Sequence, residues 1–131
     1  MTDFAHTTTV SWSGTGNSSF GGTLRDSADA EDNREIVVAA STEVNADVAI
    51  VVARLKHLFI QTDVNMTLRT NDAASGSPTD TLALVAGYPV SFSYSAGQAN
   101  PFTLDVTTIW IQNATDTSGT LRLRILKDST P

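Results

Sequence analysis

Gly119-Thr-Leu-Arg-Leu-Arg-Ile-Leu126 alternates apolar and polar side chains residue by residue, and its period of two decides the fold. Leu121, Leu123 and Ile125 face one way, Arg122 and Arg124 the other, which is the signature of a strand with one face on a core and one in water. Working back from it, Leu55 to Thr62, Asn65 to Thr70, Asp80 to Ala86, Pro89 to Tyr94 and Asp105 to Gln112 are further short segments of the same kind. Met66 and Leu68 oppose Thr67 and Arg69 in the second of these. Asn71 to Pro78, Ala96 to Pro101 and Asn113 to Gly119 carry the Gly, Pro, Asn, Asp and Ser that let a backbone reverse. Ala86-Gly87 before Tyr88-Pro89 reads as the tightest turn.

The first half is less regular. Thr7 to Trp12 alternates and reads as a strand, Phe20 to Arg25 as a second, with a Ser/Gly/Thr/Asn loop between them. Asp26 to Glu35 brings five carboxylates and one arginine, and reads as a solvated excursion. Ile36 to Val44 and Val48 to Ala53 are rich in Val, Ile and Ala, as strands covered on both faces are. A helix over Ala46 to Lys56 is the alternative there, opposed by the β-branched Val48, Ile50, Val51 and Val52. Eight to ten strands at regular spacing predict a single all-β domain over residues 1–131, an antiparallel, jelly-roll-like sandwich with residues 1–6 as an N-terminal arm.

Composition narrows the function classes. There is no cysteine, which rules out disulfides, thiolate metal sites and a cysteine nucleophile. Fourteen acidic against eight basic residues give a net charge of −6, the wrong sign for a nucleic-acid surface. No basic-then-apolar leader opens the chain and no apolar run suits a bilayer, so the expectation is a protein soluble as made, in a cytoplasm. His6 and His57 are too few for a histidine metal site without carboxylates in register, and both read as structural or surface residues. The acidic Asp26 to Glu35 run lacks the 1-3-5 spacing and the turn glycine of a calcium loop. No serine lies in a Gly-x-Ser-x-Gly elbow. The expectation is a non-enzyme without metal or cofactor.

Aromatic residues remain. In Asp105 to Gln112, Ile109 and Ile111 point one way and Val106 and Trp110 the other, making both faces apolar. Leu58 and Ile60 are opposed by Phe59 in the same manner. Either a second layer covers these faces or another subunit does, and the second option marks Phe59 and Trp110 as interface residues of a dimer or trimer. Phe4, the single large apolar side chain of the arm, is the third such residue, expected to lie against another chain.

From Leu55 onward the chain resembles a group of small virion proteins of tailed bacteriophages, usually capsid decoration or cement subunits. The likeness is carried by Leu55-Lys-His-Leu-Phe-Ile-Gln-Thr-Asp63, Met66-Thr-Leu-Arg-Thr-Asn71, Asp80-Thr-Leu-Ala-Leu-Val-Ala-Gly-Tyr-Pro89, Asn100-Pro-Phe102, Asp105-Val-Thr-Thr-Ile-Trp-Ile-Gln-Asn113 and the tail from Leu121. The resemblance implies a jelly-roll-like structural subunit on the outer capsid surface of a virion, with the major capsid protein as partner and no cofactor, no nucleic acid and no membrane. The alternative is a carbohydrate- or receptor-binding module of a tail or fibre, presenting Trp12, Trp110, Tyr88 and Tyr94 to a ligand.

Overall fold

The computed structural model describes residues 3–16 and 19–129. Ten strands follow in order: β1 Phe4–Ser13, β2 Ser19–Ala28, β3 Ala30–Val38, β4 Thr42–Ile50, β5 Leu55–Thr62, β6 Met66–Thr70, β7 Thr81–Leu84, β8 Val90–Ser93, β9 Val106–Asn113 and β10 Gly119–Lys127. No α-helix occurs among the described residues, and a single 3-10 turn, Val52–Arg54, joins β4 to β5. Strands β3 to β10 form two antiparallel four-stranded sheets, ordered β3-β10-β5-β8 and β4-β9-β6-β7. Apart from the β6–β7 hairpin, successive strands from β3 to β10 alternate between the sheets in the manner of a jelly roll, as the spacing of the segments led one to expect. The remaining pair, β1 and β2, is a hairpin of its own.

The core lies between the two sheets. Leu58, Ile60, Leu121, Leu123 and Ile125 come from one side and Leu68, Ile109, Ile111 and Leu84 from the other, all buried in one cluster. The period-two reading of β6 and β10 holds: Met66 and Leu68 are buried, while Thr67 and Arg69 lie at the outer face. The reading of β9 needs one correction. Val106 is in the core beside Ile109 and Ile111, because the β4–β9 ladder slips between Asp47 and Ile50 and shifts the parity of the strand's first residues.

Three further expectations are corrected. Asp26 to Glu35 is no solvated loop: Asp26 is buried at the end of β2, and β3 runs through the acidic stretch as a strand paired to β10. Its carboxylates are partnered, Asp32 by Arg34 at 2.8 and 2.9 Å, Glu31 by His6, and Glu35 by Arg122 and Arg124. Ile36 to Val44 is broken by a turn at Ser41, whose φ is 58°, and Val48 to Ala53 ends as strand at Ile50. Neither segment is central; β3 and β4 are the edges of their sheets. Charged side chains along an edge oppose pairing with a foreign strand, which accounts for acid-rich sequence in a position that propensity alone disfavours. The arm expected at residues 1–6 is also revised: from Phe4 onward it is strand β1, with Phe4 opposite Ala28 of its own hairpin, and Met1 and Thr2 lie outside the described residues.

Candidate interaction arm and its anchor

The β1–β2 hairpin divides into two halves of opposite character. Its base contacts β5, β8 and β10 on the outer face of the first sheet. Its distal half, Thr9–Ser13 against Ser19–Thr23, is exposed on both strands. An unsupported two-stranded hairpin is marginal in water, so the base must be held firmly for the rest to project.

A buried polar cluster holds it. His57 on β5 points away from the core and is fully buried beneath the hairpin. Its Nδ1 donates to Asp26 Oδ2 at 2.7 Å, and its Nε2 lies 2.7 Å from the Thr8 hydroxyl. In the tautomer that carries its proton on Nδ1, Nε2 accepts a hydrogen bond from the Thr8 hydroxyl. Asp26 also accepts the Ser93 hydroxyl at 2.6 Å and the Ser95 backbone N–H at 2.9 Å. Burial works to raise the Asp26 pKa, but the hydrogen bonds from Ser93, His57 and Ser95 together outweigh it and hold the carboxyl below its usual range. A second tie, His6 Nε2 to Glu31 at 2.8 Å, brings the chain's other histidine to the same joint, 6.1 Å from His57 between ring centroids. Leu126, in register with His57, and Ala28 are buried outside the main core and complete this second layer.

Thr8, His57 and Asp26 stand in the bond order of a nucleophile, base and carboxylate relay. They line or adjoin a cleft of about 490 Å³ with Phe59, Asn33 and Arg124. Chemically the relay makes the Thr8 oxygen electron-rich; structurally it ties β1, β2 and β5 together. Neither role was legible in sequence, where the three residues are far apart and Asp26 read as part of a loop.

The distal half carries the exposed apolar groups. Trp12 and Phe20 are directly opposed across the hairpin with ring centroids 5.2 Å apart, yet remain 50% and 69% exposed, and Val10 is 51% exposed. Gly21 faces Ser11 so closely that a β-carbon there would strike the Val10 carbonyl oxygen, so glycine is what permits the strands to approach beneath the aromatic pair. From Thr7 to Leu24 there is not one charged side chain, in a chain whose net charge is −6. That absence of charge was the one sequence signal that could have singled out the arm.

The residues singled out from sequence fall at separate places. Phe59 is on the outer face of the first sheet, where the hairpin supplies the second layer that its apolar character called for. Trp110 lies on the opposite outer face, half-buried between Arg69 and Asn45 in register, with its Nε1 buried and unpartnered among the described residues. Phe4 is at the hairpin base, partly exposed. Of the rings proposed for a sugar, Tyr88 and Tyr94 are exposed, and Tyr94 has Lys56 Nζ 3.7 Å above its centroid. No group of three or more metal-ligating side chains is assembled among the described residues, and no helix is long and apolar enough to cross a membrane. No protein-family model matches the chain, and neither a curated protein nor a solved structure is similar to it at a significant level.

Proposed function

We propose that this chain is a non-enzymatic virion structural protein of a tailed bacteriophage, a decoration subunit that binds the major capsid protein on the outer surface of the head and stabilises it. The observation that carries the reading is the arm: a hairpin whose distal half is free of charge and carries an aromatic pair that no other described residue of the chain covers. Interface centres are depleted in charge and enriched in aromatic residues, and exposed apolar patches on a soluble domain mark contact sites. A jelly roll serves viral shells and lectins alike, so the fold admits the carbohydrate-binding alternative too. Against that alternative, Trp12 lies on β1, Trp110 on β9, and Tyr88 and Tyr94 in the segments before and after β8, and of the four only Trp12 has an aromatic neighbour among the described residues.

Purified heads lacking the protein are expected to take it up on co-sedimentation and to withstand a higher temperature before releasing their DNA. Heads that neither bind it nor gain stability would remove the capsid reading, and glycan-array binding lost in Trp12→Ser would favour the lectin. The non-enzymatic part is tested at the relay: hydrolysis of p-nitrophenyl esters is expected to be the same for the wild-type protein and Thr8→Ala, and Thr8-dependent turnover would overturn it.

A further inference from the structure

Three of the hairpin's glycines are accounted for within the chain. Gly14 lies under the Trp12 ring, Gly21 lies against the Val10 carbonyl, and Gly16 has a φ of 93°. Gly22, in the middle of β2, is different: its φ is outside the left-handed region, and a β-carbon there would meet no atom within 4 Å. Glycine inside a strand costs backbone entropy and gives nothing to pack, and the close approach of another group is a recurring reason for it. No described residue of this chain is that group.

The hairpin register locates the gap. Val10 is directly opposite Gly22, Trp12 opposite Phe20 and Thr8 opposite Leu24, in a ladder without a slip. Opposed residues share a face, and alternate residues along a strand return to it. Val10, Trp12, Phe20 and Leu24 therefore surround Gly22 on one face and leave a slot one side chain wide. The other face of the distal half presents Thr9, Ser11, Ser13, Ser19 and Thr23, all small and polar. The slotted face is the one whose basal residues, Thr8 and Asp26, bond His57 on the sandwich. Along β2 it passes from Ala28 and Asp26, both buried, through the partly buried Leu24 to the exposed Phe20. A face covered at its base thus leaves the sandwich still apolar and without a cover.

We infer that the slot at Gly22 receives one uncharged, apolar side chain of the capsid partner, with Trp12 and Phe20 closing around it. This rests on the decoration reading above and names the chemistry that the arm recognises. The slot's walls are apolar and the stretch from Thr7 to Leu24 has no charge, so a charged group would lose its water there without gaining an ion partner. A hydrocarbon group loses nothing.

Filling the slot tests this on the full chain. Gly22→Val places a strand-favouring residue in β2, so amide exchange in the hairpin is expected to be at least as slow as in wild type. Co-sedimentation with purified heads lacking the protein is nevertheless expected to weaken by about tenfold or more, because the added methyl groups occupy the partner's place. Gly22→Ala should fall between the two, and Thr23→Val, on the hydroxyl face, should bind as wild type does. Wild-type and Gly22→Val proteins that bind heads equally overturn the slot and leave the decoration role standing, whereas a wild-type protein that does not bind heads removes both. Weaker binding together with faster hairpin exchange also overturns the inference, since Gly22 would then serve the hairpin itself. So does a wild-type oligomer that Gly22→Val dissociates on gel filtration while head binding is unchanged, which would put a second copy in the slot.

Discussion

Replacing Asp26 by alanine is expected to cost about 3–5 kcal/mol and to free the hairpin from the sandwich, since each buried donor left without an acceptor costs about 1–3 kcal/mol and three lose theirs. The cost is large because Asp26 is a hub. Its loss leaves His57 Nδ1, the Ser93 hydroxyl and the Ser95 N–H without their acceptor in a site that water does not reach easily. Ser95 is itself bound through its hydroxyl to the Arg25 carbonyl, so the connection between β2 and the segment after β8 goes with it. Denaturant titration gives the global loss, and amide hydrogen exchange should show the largest loss of protection in β1 and β2. Unchanged exchange in the hairpin would mean that apolar contacts at Ala28 and Leu126 hold it without the polar cluster.

Acid should act on the same joint. The Asp26 carboxyl is depressed in the folded protein relative to its usual value of 3.8, so its contribution is fully present above that pH and is lost as pH falls through its folded-state value. Glu31 is lowered in the same direction, chiefly by the hydrogen bond from His6. The expected course on acidification is opening of the hairpin before the sandwich, visible as early loss of β1–β2 protection, and Asp26→Ala should flatten that part of the pH profile.

The second large effect belongs to the core. Leu68→Ala is expected to destabilise the protein by about 2–5 kcal/mol, since Leu68 is fully buried at the centre of the sandwich, between Leu82 of β7 and Ile111 of β9 in register, and a cavity there cannot collapse without moving two sheets. The neighbouring Thr67→Ala, on the outer face of the same strand, should fall within about 0.5 kcal/mol of wild type. Equal effects at the two positions would contradict the register.

The strands from Leu55 to Lys127 were legible in sequence because each turns one face to the core, and a strand alternates with period two wherever its other face is open. Leu121, Leu123 and Ile125 against Arg122 and Arg124 state this without ambiguity, as do Met66 and Leu68 against Thr67 and Arg69. The turns were legible for the same kind of local reason; Gly87, with φ of 79°, supplies a conformation other residues rarely adopt. What sequence could not supply was neighbourhood. Val, Ile and Ala at Ile36 to Val44 and Val48 to Ala53 suggested strands covered on both faces, whereas pairing order makes β3 and β4 edges, and a strand's position in a sheet depends on distant partners. Carboxylates between Asp26 and Glu35 suggested solvent, yet each has a partner drawn from elsewhere in the chain or the same strand, His57, Ser129, His6, Arg34 and the arginines of β10. The apolar second face of β5 was visible at Phe59, but that a hairpin covers it, and that Asp26, His57 and Thr8 meet there, is decided by a packing between residues up to 49 positions apart. Local periodicity is written into each short segment by its own burial; a polar cluster assembled from three strands exists only once those strands have met.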